Sequence, residues 1–340
     1  MGNASEALSR RPLSGGAVQP TLLGFGGAPI GNLYAEVGDE EARDAIDAAL
    51  ACGIRYFDTA PYYGYGLSEE RLGRALYGRP RESLVISTKV GRVLHDDGCT
   101  SSRGKAFAVV GREAQFDYSR AGILSSFESS LRRLRTDYID ILLLHDIGEL
   151  THGERHPAVL KQALDEALPA MAELRAAGAC RAIGVGVNEQ TVCLELLPRF
   201  PLDCFMLAGR YTLLEQANGI AVLEAAARAC VAIIIAAPFN SGLLSDVRGP
   251  GPTYNYRPVD AETLAKARGL YELCAEHGVD IGAAALQFPL MHPAVVSVVA
   301  GMRSESEVRS AARRLTTGVP EAFWSRLIRH GLLDGAAALQ

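Results

Sequence analysis

The stretch Tyr56-Phe57-Asp58-Thr59-Ala60-Pro61-Tyr62-Tyr63-Gly64 joins a short apolar run to a turn rich in tyrosine and glycine. Two later stretches have the same design, Leu84-Val85-Ile86-Ser87-Thr88-Lys89 and Ile139-Asp140-Ile141-Leu142-Leu143-Leu144-His145. Each begins as an apolar run of the kind that forms a strand buried on both faces, and each carries an ionisable residue at the end of that run. Polar groups at the carboxyl ends of parallel strands indicate a barrel with its active site at that end.

On both sides of these stretches, short apolar runs alternate with longer segments of helical period. Strands are predicted at residues 22–26, 55–58, 84–88, 139–144, 182–187, 204–208, 231–236 and 295–300, and helices at 39–52, 69–76, 118–134, 160–177, 191–198, 217–229, 261–277 and 305–314. Eight such units predict an α/β fold, a (β/α)8 TIM barrel that forms a single domain over residues 20–335. A doubly wound sheet is the competing architecture, but the glycines at 24–27 lead into Ala28-Pro29 and not into a helix, so its phosphate-binding fingerprint is absent.

Three further segments complete the predicted organisation. Long connections at residues 91–117 and 242–260 follow predicted strands, and loops at that face of a barrel are commonly pocket walls or lids. Residues 1–19 are polar and are interpreted as a flexible N-terminal tail. Residues 320–333 predict a terminal helix that packs outside the barrel.

The composition excludes several classes of function. A formal net charge of −5 over 340 residues provides no electrostatic surface for nucleic acid or an anionic membrane. No apolar run approaches the roughly 20 residues that span a bilayer. The seven cysteines include no CxxC pair, which indicates reduced thiols in a cytoplasmic protein, and no Cys/His cluster has the spacing of a metal site.

The chemistry follows from the strand ends. In a parallel barrel Asp58, Tyr63, Lys89 and His145 converge on one face. A tyrosine can exchange a proton with a carbonyl or alcohol, a lysine cation favours its phenolate, an aspartate holds the lysine, and a histidine orients the substrate. Taken singly, each residue has an ordinary structural interpretation as a cap, a surface aromatic, a solvated lysine or a structural histidine. Their coincidence at the second, third and fourth strands favours a catalytic site.

These motifs resemble those of the aldo-keto reductase superfamily, in their order and spacing, over residues 22–333. The resemblance implies a (β/α)8 barrel that uses NAD or NADP without a metal. It also implies that Tyr63 is the acid/base, that Lys89 and Asp58 tune it, and that His145 orients the substrate.

The same resemblance implies a cofactor site. Asn188 corresponds to the asparagine that binds the nicotinamide carboxamide and Tyr211 to the tyrosine that stacks on the nicotinamide ring, although Val187 and Ala208 replace a usual serine and glutamine. The remaining implied cofactor residues are Gly27 and Ala28 after the first strand, Phe239, Ser241 and Leu243 in a pyrophosphate loop, and Gly301, Arg303, Ser304 and Glu307 near the adenosine phosphate. The carboxylate of Glu307 favours NAD, because it repels a 2′-phosphate, whereas Arg303 favours NADP. Glu307 as an ordinary first-turn helix acid is the alternative.

Within the superfamily, the stretches at 24–33, 116–119 and 145–146 and the tail at 323–327 resemble aldose 1-dehydrogenases of the D-threo-aldose or L-fucose type and pyridoxal 4-dehydrogenase. The resemblance implies oxidation of a free sugar such as L-fucose, L-galactose or D-arabinose. The alternatives are an NADPH-dependent general aldehyde or ketone reductase and, from a different class, a non-catalytic regulatory binding protein on this fold. The candidates for substrate walls are Asn32, Tyr62, Phe116 and Tyr118, and the oligomeric state stays open.

Overall fold

The computed structural model describes residues 8–99, 101–102, 106–245, 253–254 and 257–335. Eight parallel strands form a closed barrel in which neighbours follow chain order. Their bounds are β1 Leu23–Gly26, β2 Tyr56–Asp58, β3 Val85–Val90, β4 Ile139–His145, β5 Cys180–Val187, β6 Cys204–Ala208, β7 Ala232–Ala236 and β8 Val295–Gly301. The predicted (β/α)8 barrel is therefore confirmed.

The register of neighbouring strands aligns the three motifs that carry Asp58, Lys89 and His145. Asp58 is opposite Ser87 on β3, Lys89 is opposite Leu143 on β4, and the last β4 residue, His145, is opposite Gly186 on β5. The strands are buried along nearly their whole length, because side chains pack both inside the barrel and under the helices. The ionisable residues consequently emerge together at the carboxyl end.

The helices surround the barrel. The α-helices are α1 Asp39–Ala51, α2 Leu67–Leu76, α3 Arg120–Leu134, α4 Glu149–His152, α5 His156–Gln162, α6 Leu168–Ala176, α7 Thr191–Leu196, α8 Ala217–Arg228, α9 Ala261–His277, α10 Ile281–Gln287, α11 Glu305–Thr316 and α12 Glu321–Arg329. Among them the single-turn α4 and the longer α10 were not predicted. α10 is the more informative of the two. Its residues 281–286 are all buried, so it has no polar face and hence no helical period, and its cap, Asp280, accepts hydrogen bonds from two main-chain N–H groups.

One predicted helix, at residues 160–177, is divided. α5 and α6 are joined by a π-helical turn at Ala163–Ala167, and Pro169 lies at the start of α6. A proline has no main-chain N–H to donate, which favours a local change in the hydrogen-bond ladder. The terminal helix α12 packs against α9 outside the barrel, as predicted, with Phe323 and Leu327 buried.

The long connection after β3 contains an antiparallel strand pair, Arg92–Asp96 with Arg112–Phe116. The connection after β7 contains a second, short pair, Thr253–Tyr254 with Arg257–Pro258. Residues 246–252 of the predicted wall after β7 lie outside the described residues.

The segment before β1 closes the amino end of the barrel. Leu13 and Val18 are buried against barrel-interior residues that include Tyr56 and Val85, and the Leu13 N–H donates to the Val18 carbonyl at 2.8 Å. The Arg11 guanidinium donates to the carbonyls of Leu290 and Val295 at 2.9 and 2.7 Å. Residues 8–19 are therefore hydrogen-bonded and packed against the barrel end, which differs from the flexible tail that the sequence predicted. Residues 1–7 lie outside the described residues.

The described part of the chain has no helix that combines the length and the apolar character needed to cross a bilayer.

Candidate active site

A cavity of about 1000 Å³ opens at the carboxyl ends of the strands. All four predicted catalytic side chains, Asp58, Tyr63, Lys89 and His145, line it. The structure thus brings together residues that lie far apart in the sequence, at the place where a barrel of this kind carries its active site.

A buried ion pair lies at the base of this cavity. The Lys89 ammonium donates to both carboxylate oxygens of Asp58 at 2.9 Å and to the Thr59 carbonyl at 2.9 Å. The Ser87 hydroxyl donates to Asp58 Oδ1 at 2.6 Å. Both charged side chains are almost fully buried, at 3% and 4% exposure. The strand ends therefore pair the lysine with a carboxylate and fix its position.

Tyr63 lies beside this pair, on the turn that follows β2. Gly64 has a φ of 64°, and a Cβ there would lie 2.4 Å from the Gly31 carbonyl oxygen, so the turn requires glycine. The Lys89 ammonium is 4.7 Å from the centre of the Tyr63 ring, and the His145 ring is edge-on to it at 6.2 Å. The phenol of Tyr63 is thus held among a cation, a carboxylate and an imidazole.

The pKa of Tyr63 is raised in this structure, whereas the sequence predicted that Lys89 would lower it. Burial raises the pKa of the Tyr63 hydroxyl well above 10, and the nearby carboxylates of Asp58 and Asp146 raise it further. The expected lowering by Lys89 does not occur, because both oxygens of Asp58 already compensate the lysine charge. Tyr63 is therefore a neutral phenol in this structure, which is the proton-donating form.

His145 is a neutral imidazole at the same face. Burial lowers the pKa of His145 to about 3, although the Asp146 carboxylate opposes this shift. The Tyr118 hydroxyl fixes the end of β4 by donating to the main-chain carbonyls of His145 and Asp146 at 2.8 and 2.9 Å. Among the described residues His145 Nδ1 is buried without a hydrogen-bond partner.

The lowered pKa of His145 predicts a stability loss in acid. The unfolded chain takes up the His145 proton below pH 6.5, whereas the folded chain does not until about pH 3, so stability falls as the pH falls through this window. At pH 5 the loss relative to neutral pH is about 2 kcal/mol. We expect His145→Gln to remove it, so that thermal melts at pH 7 and pH 5 lie closer together in the variant than in the wild type. His95→Gln, on the exposed strand after β3, is the control, and an equal acid shift in wild type and His145→Gln would contradict the assignment.

A second ion pair extends the site along its wall. Arg92 donates to Asp146 Oδ2 at 2.6 Å, and its guanidinium lies 3.9 Å from the Tyr62 ring centre and 4.2 Å from that of Phe116. Arg92, Asp146 and Tyr62 line the cavity together with Phe107. Of the four residues proposed as substrate walls, Tyr62 alone lines the cavity in the described structure. Asn32 Oδ1 instead accepts hydrogen bonds from Arg71 and from the Val37 N–H.

Seven of the predicted cofactor residues also line the cavity: Ala28, Asn188, Phe239, Ser241, Gly301, Arg303 and Glu307. They extend from the first strand end to the start of α11. The cavity therefore forms one continuous space from the buried lysine to the amino end of that helix.

Four other predicted cofactor residues do not line this cavity. The side chain of Tyr211 is fully buried against Phe288 and His292, and in this structure it does not reach the cavity in which the nicotinamide was predicted to lie. Leu243 is fully buried in the core. Gly27 lies behind the wall, where its N–H donates to the Asp58 carbonyl at 2.8 Å and a Cβ would lie 2.6 Å from Ser68 Oγ.

The fourth, Ser304, is the cap of α11 and its hydroxyl accepts a hydrogen bond from the Glu307 N–H. Each of these four residues was placed by sequence correspondence. Sequence correspondence cannot show on which side of the barrel wall a side chain lies.

Asn240 is a polar cavity residue that the sequence analysis missed. Its side chain is only 2% exposed and lines the cavity, and within the described residues neither its carbonyl oxygen nor its amide nitrogen has a hydrogen-bond partner. Ala237, Asn240 and Ser241 all have positive φ values, between 49° and 59°. Strained backbone and an unpaired buried amide are costly, and both are typical of a ligand-binding loop.

Arg92 and Asp146 are two further cavity residues that no sequence signal singled out as functional. The pair His145-Asp146 was visible in the sequence, but the partner of Asp146 lies 54 residues away on the connection after β3. Within the described residues, no group of three or more histidine, cysteine, aspartate or glutamate side chains is arranged to hold a metal ion.

A (β/α)8 barrel with a cavity at its carboxyl end, lined by a tyrosine, a lysine–aspartate pair and a histidine, is the arrangement that the sequence predicted for an oxidoreductase. A family model described as the aldo/keto reductase family matches residues 22–330, and the chain belongs to this family. Members of the family use NAD(P)H.

Individual relatives agree with this membership. The chain is 39% identical to pyridoxal 4-dehydrogenase of Microbacterium luteolum, covering 97% of this chain and 99% of the relative. It is 38% identical to D-threo-aldose 1-dehydrogenase of a Pseudomonas species, covering 92% and 94%. Among solved structures, the holo form of an aldo-keto reductase from Bacillus halodurans is 28% identical and superposes with a TM-score of 0.74 over 98% of this chain and 99% of that one.

Proposed function

We propose that this chain is an NAD(P)-dependent dehydrogenase that oxidises the anomeric hydroxyl of a free aldose to the lactone. The observation that carries the proposal is the meeting of Tyr63, His145 and the Lys89–Asp58 pair in one cavity. A relative at 38% identity named D-threo-aldose 1-dehydrogenase supports the substrate class. An L-galactose dehydrogenase of Arabidopsis thaliana, 29% identical over 90% of this chain, supports it further.

The residues of the long cavity fit a dinucleotide. The unpaired carboxamide of Asn240 can bind a polar cofactor group, whereas the main-chain N–H groups of Ala237, Asn240 and Gly242 already donate to main-chain carbonyls. Asn188 lies at the part of the cavity that contains His145 and Asp146, because its Nδ2 is 3.5 Å from Asp146 Oδ1. The bound cofactor would supply a hydride acceptor with a positive charge in the oxidised form, or a hydride donor in the reduced form.

In the oxidative direction the sugar loses a hydride from its anomeric carbon and a proton from the hydroxyl on that carbon. Tyr63 takes the proton when it is a phenolate, and in reduction it donates the same proton as a phenol. Asp58 holds Lys89 at 4.7 Å from the ring centre and offsets its charge, so the resting site favours the phenol, the form that donates the proton in reduction. Neutral His145 can donate or accept one hydrogen bond to orient the reacting oxygen.

The second candidate function within the same chemistry is a pyridoxal 4-dehydrogenase. The 39% identity to an enzyme of that name favours it, and it also oxidises a cyclic hemiacetal to a lactone. A general NADPH-dependent aldehyde reductase is the third candidate. A cytoplasmic location is part of the proposal, and the seven unpaired thiols of the structure support it.

A substrate panel distinguishes these candidates. Purified protein with NAD should generate the absorbance of NADH with at least one of L-fucose, L-galactose and D-arabinose. A signal with pyridoxal and with none of the sugars would indicate that pyridoxal, and not an aldose, is the substrate. Absence of a signal with all sugars and with pyridoxal, together with NADPH-dependent reduction of simple aldehydes, would overturn the proposal in favour of the general reductase.

We propose NAD as the preferred cofactor. Glu307 Oε2 accepts a hydrogen bond from the Arg303 N–H at 2.8 Å, and Oε1 lies 3.4 Å from Arg303 Nε. The carboxylate therefore partly neutralises the one predicted cation that favours a 2′-phosphate. A carboxylate at this place also repels a 2′-phosphate and can accept a hydrogen bond from a 2′-hydroxyl.

We expect Glu307→Arg to shift the preference toward NADP. The ratio of kcat/KM with NAD to kcat/KM with NADP should fall by about tenfold or more, because a repulsive charge is replaced by an attractive one. Glu305→Arg makes the same charge reversal in the first turn of α11 but outside the cavity, and it should leave the ratio unchanged. Equal ratios in Glu307→Arg and the wild type would refute the role of Glu307.

A further inference from the structure

Asp146 is a charged cavity residue that the proposed mechanism does not use. It follows His145 directly, and its backbone has a φ of 52°, a left-handed conformation that is uncommon outside glycine although aspartate tolerates it better than most residues. Its carboxylate is only 12% exposed, yet it lines the cavity a few ångströms from the catalytic histidine, with Oδ2 at 3.4 Å from His145 Nε2. Strained backbone beside an active site commonly serves to aim a side chain.

Arg92 holds Asp146 from one side only. Its Nη2 donates to Asp146 Oδ2 at 2.6 Å, and the aromatic rings of Tyr62 and Phe116 lie 3.9 and 4.2 Å from its guanidinium carbon. Such a sandwiched guanidinium has little freedom to move. Arg92 therefore fixes the carboxylate through Oδ2 and makes no hydrogen bond to Oδ1.

Asp146 Oδ1 retains capacity to accept hydrogen bonds. The one contact found for it in the described structure is Asn188 Nδ2 at the long distance of 3.5 Å, although an ionised carboxylate offers about four acceptor positions. Aromatic side chains complete the cavity next to it, with the Tyr62 and Phe107 rings edge to face at 5.2 Å. A fixed acceptor next to apolar ring faces suits a polyhydroxylated substrate, whose hydroxyl groups need acceptors and whose C–H faces need apolar contact.

A purely structural role explains these features less well. Replacing one buried ion pair by apolar residues is often neutral or stabilising, so stability alone seldom requires such a pair. Here the pair lies in the wall of the cavity, and one of its oxygens is directed to no strong protein donor.

We propose that Asp146, positioned by Arg92, determines substrate specificity by accepting a hydrogen bond from a hydroxyl group on the carbon next to the reacting one. This inference rests on the proposed function, because a free aldose carries such a hydroxyl. A substrate that lacks it would leave the buried carboxylate without compensation, which is how a polar site rejects an analogue.

The test compares two aldehydes that differ in these hydroxyls, glyceraldehyde and propanal, both reduced with NADH or NADPH. In Asp146→Asn we expect kcat/KM for glyceraldehyde to fall about 10- to 100-fold relative to kcat/KM for propanal, the range that corresponds to loss of a hydrogen bond to a charged group. The control is Asp96→Asn, an exposed aspartate of the strand pair after β3, which should leave the ratio as in the wild type. Arg92→Lys is the second variant, and it should lower the same ratio because it keeps the charge and loses the planar geometry.

The outcomes separate this inference from the proposed function. An unchanged ratio in both Asp146→Asn and Arg92→Lys, or an equal loss with both aldehydes, would overturn the specificity role and would indicate that Asp146 acts only through His145. A lowered ratio in an enzyme that oxidises no sugar would support the inference and refute the aldose dehydrogenase. Failure of the wild-type protein to reduce glyceraldehyde, in an enzyme that oxidises a free sugar, would overturn the specificity role and leave the proposed function standing.

Discussion

Replacing Tyr63 by phenylalanine should lower kcat by about 10²- to 10⁴-fold, the range measured for loss of a general acid–base group. The variant removes one oxygen from a residue that lines the cavity and leaves the buried Lys89–Asp58 pair intact. The dissociation constant for the cofactor, measured by quenching of protein fluorescence, should therefore change by less than about threefold, a difference well under 1 kcal/mol.

The matched control for this substitution is Tyr77→Phe, which removes a hydroxyl from a tyrosine that is 70% exposed and outside the cavity. Its kcat should equal that of the wild type. Turnover by Tyr63→Phe at the wild-type rate would show that another group exchanges the proton. Loss of cofactor binding in the same variant would show that the phenol is needed for binding.

Replacing Asp58 by asparagine should destabilise the fold by about 3–5 kcal/mol, the cost of leaving a buried charge without its partner. Lys89 would keep the Thr59 carbonyl and one amide oxygen as acceptors, but it would lose the other oxygen and the negative charge that compensates its own. Chemical denaturation monitored by circular dichroism measures the loss directly, as a lower midpoint at an unchanged slope. The variant should also lose most of its activity, because the lysine no longer has a fixed position.

The double variant Asp58→Asn/Lys89→Met separates the two effects. It removes both charges, so most of the lost stability should return, whereas the activity should not. The exposed pair of Lys161 and Asp165 offers a control, since Asp165→Asn should have little effect on the midpoint. A single variant as stable as the wild type would show that solvent reaches the pair and compensates Lys89.

Much of the fold could be predicted from the chain because its signals are local. The eight barrel strands are continuous apolar runs, and each predicted strand lies within two residues of the observed bounds. Strands β2 and β4 end in Asp58 and His145, and Lys89 is the penultimate residue of β3, so their grouping follows from parallel topology alone. The α10 helix escaped prediction because it is buried on all sides, so the alternation of polar and apolar residues that marks a helix is missing.

The cofactor end was harder to predict, because correspondence along the chain carries no information on orientation. Phe239 and Leu243 are both apolar and four positions apart on the same loop, yet Phe239 lines the cavity and Leu243 faces the core. Tyr211 faces the core for the same reason, against Phe288 and His292. Side-chain direction in a loop depends on backbone angles that distant packing imposes.

By itself, the sequence determined the order of strands and helices and which ionisable residues stand at the strand ends, since periodicity and composition act over a few neighbouring residues. The tertiary structure alone decided that Arg92 meets Asp146, that residues 8–19 close the barrel, and that Tyr63 is a neutral phenol. Those properties depend on distances and burial between segments far apart in the chain, and electrostatic and hydrophobic free energies are set by such distances and by the exclusion of water.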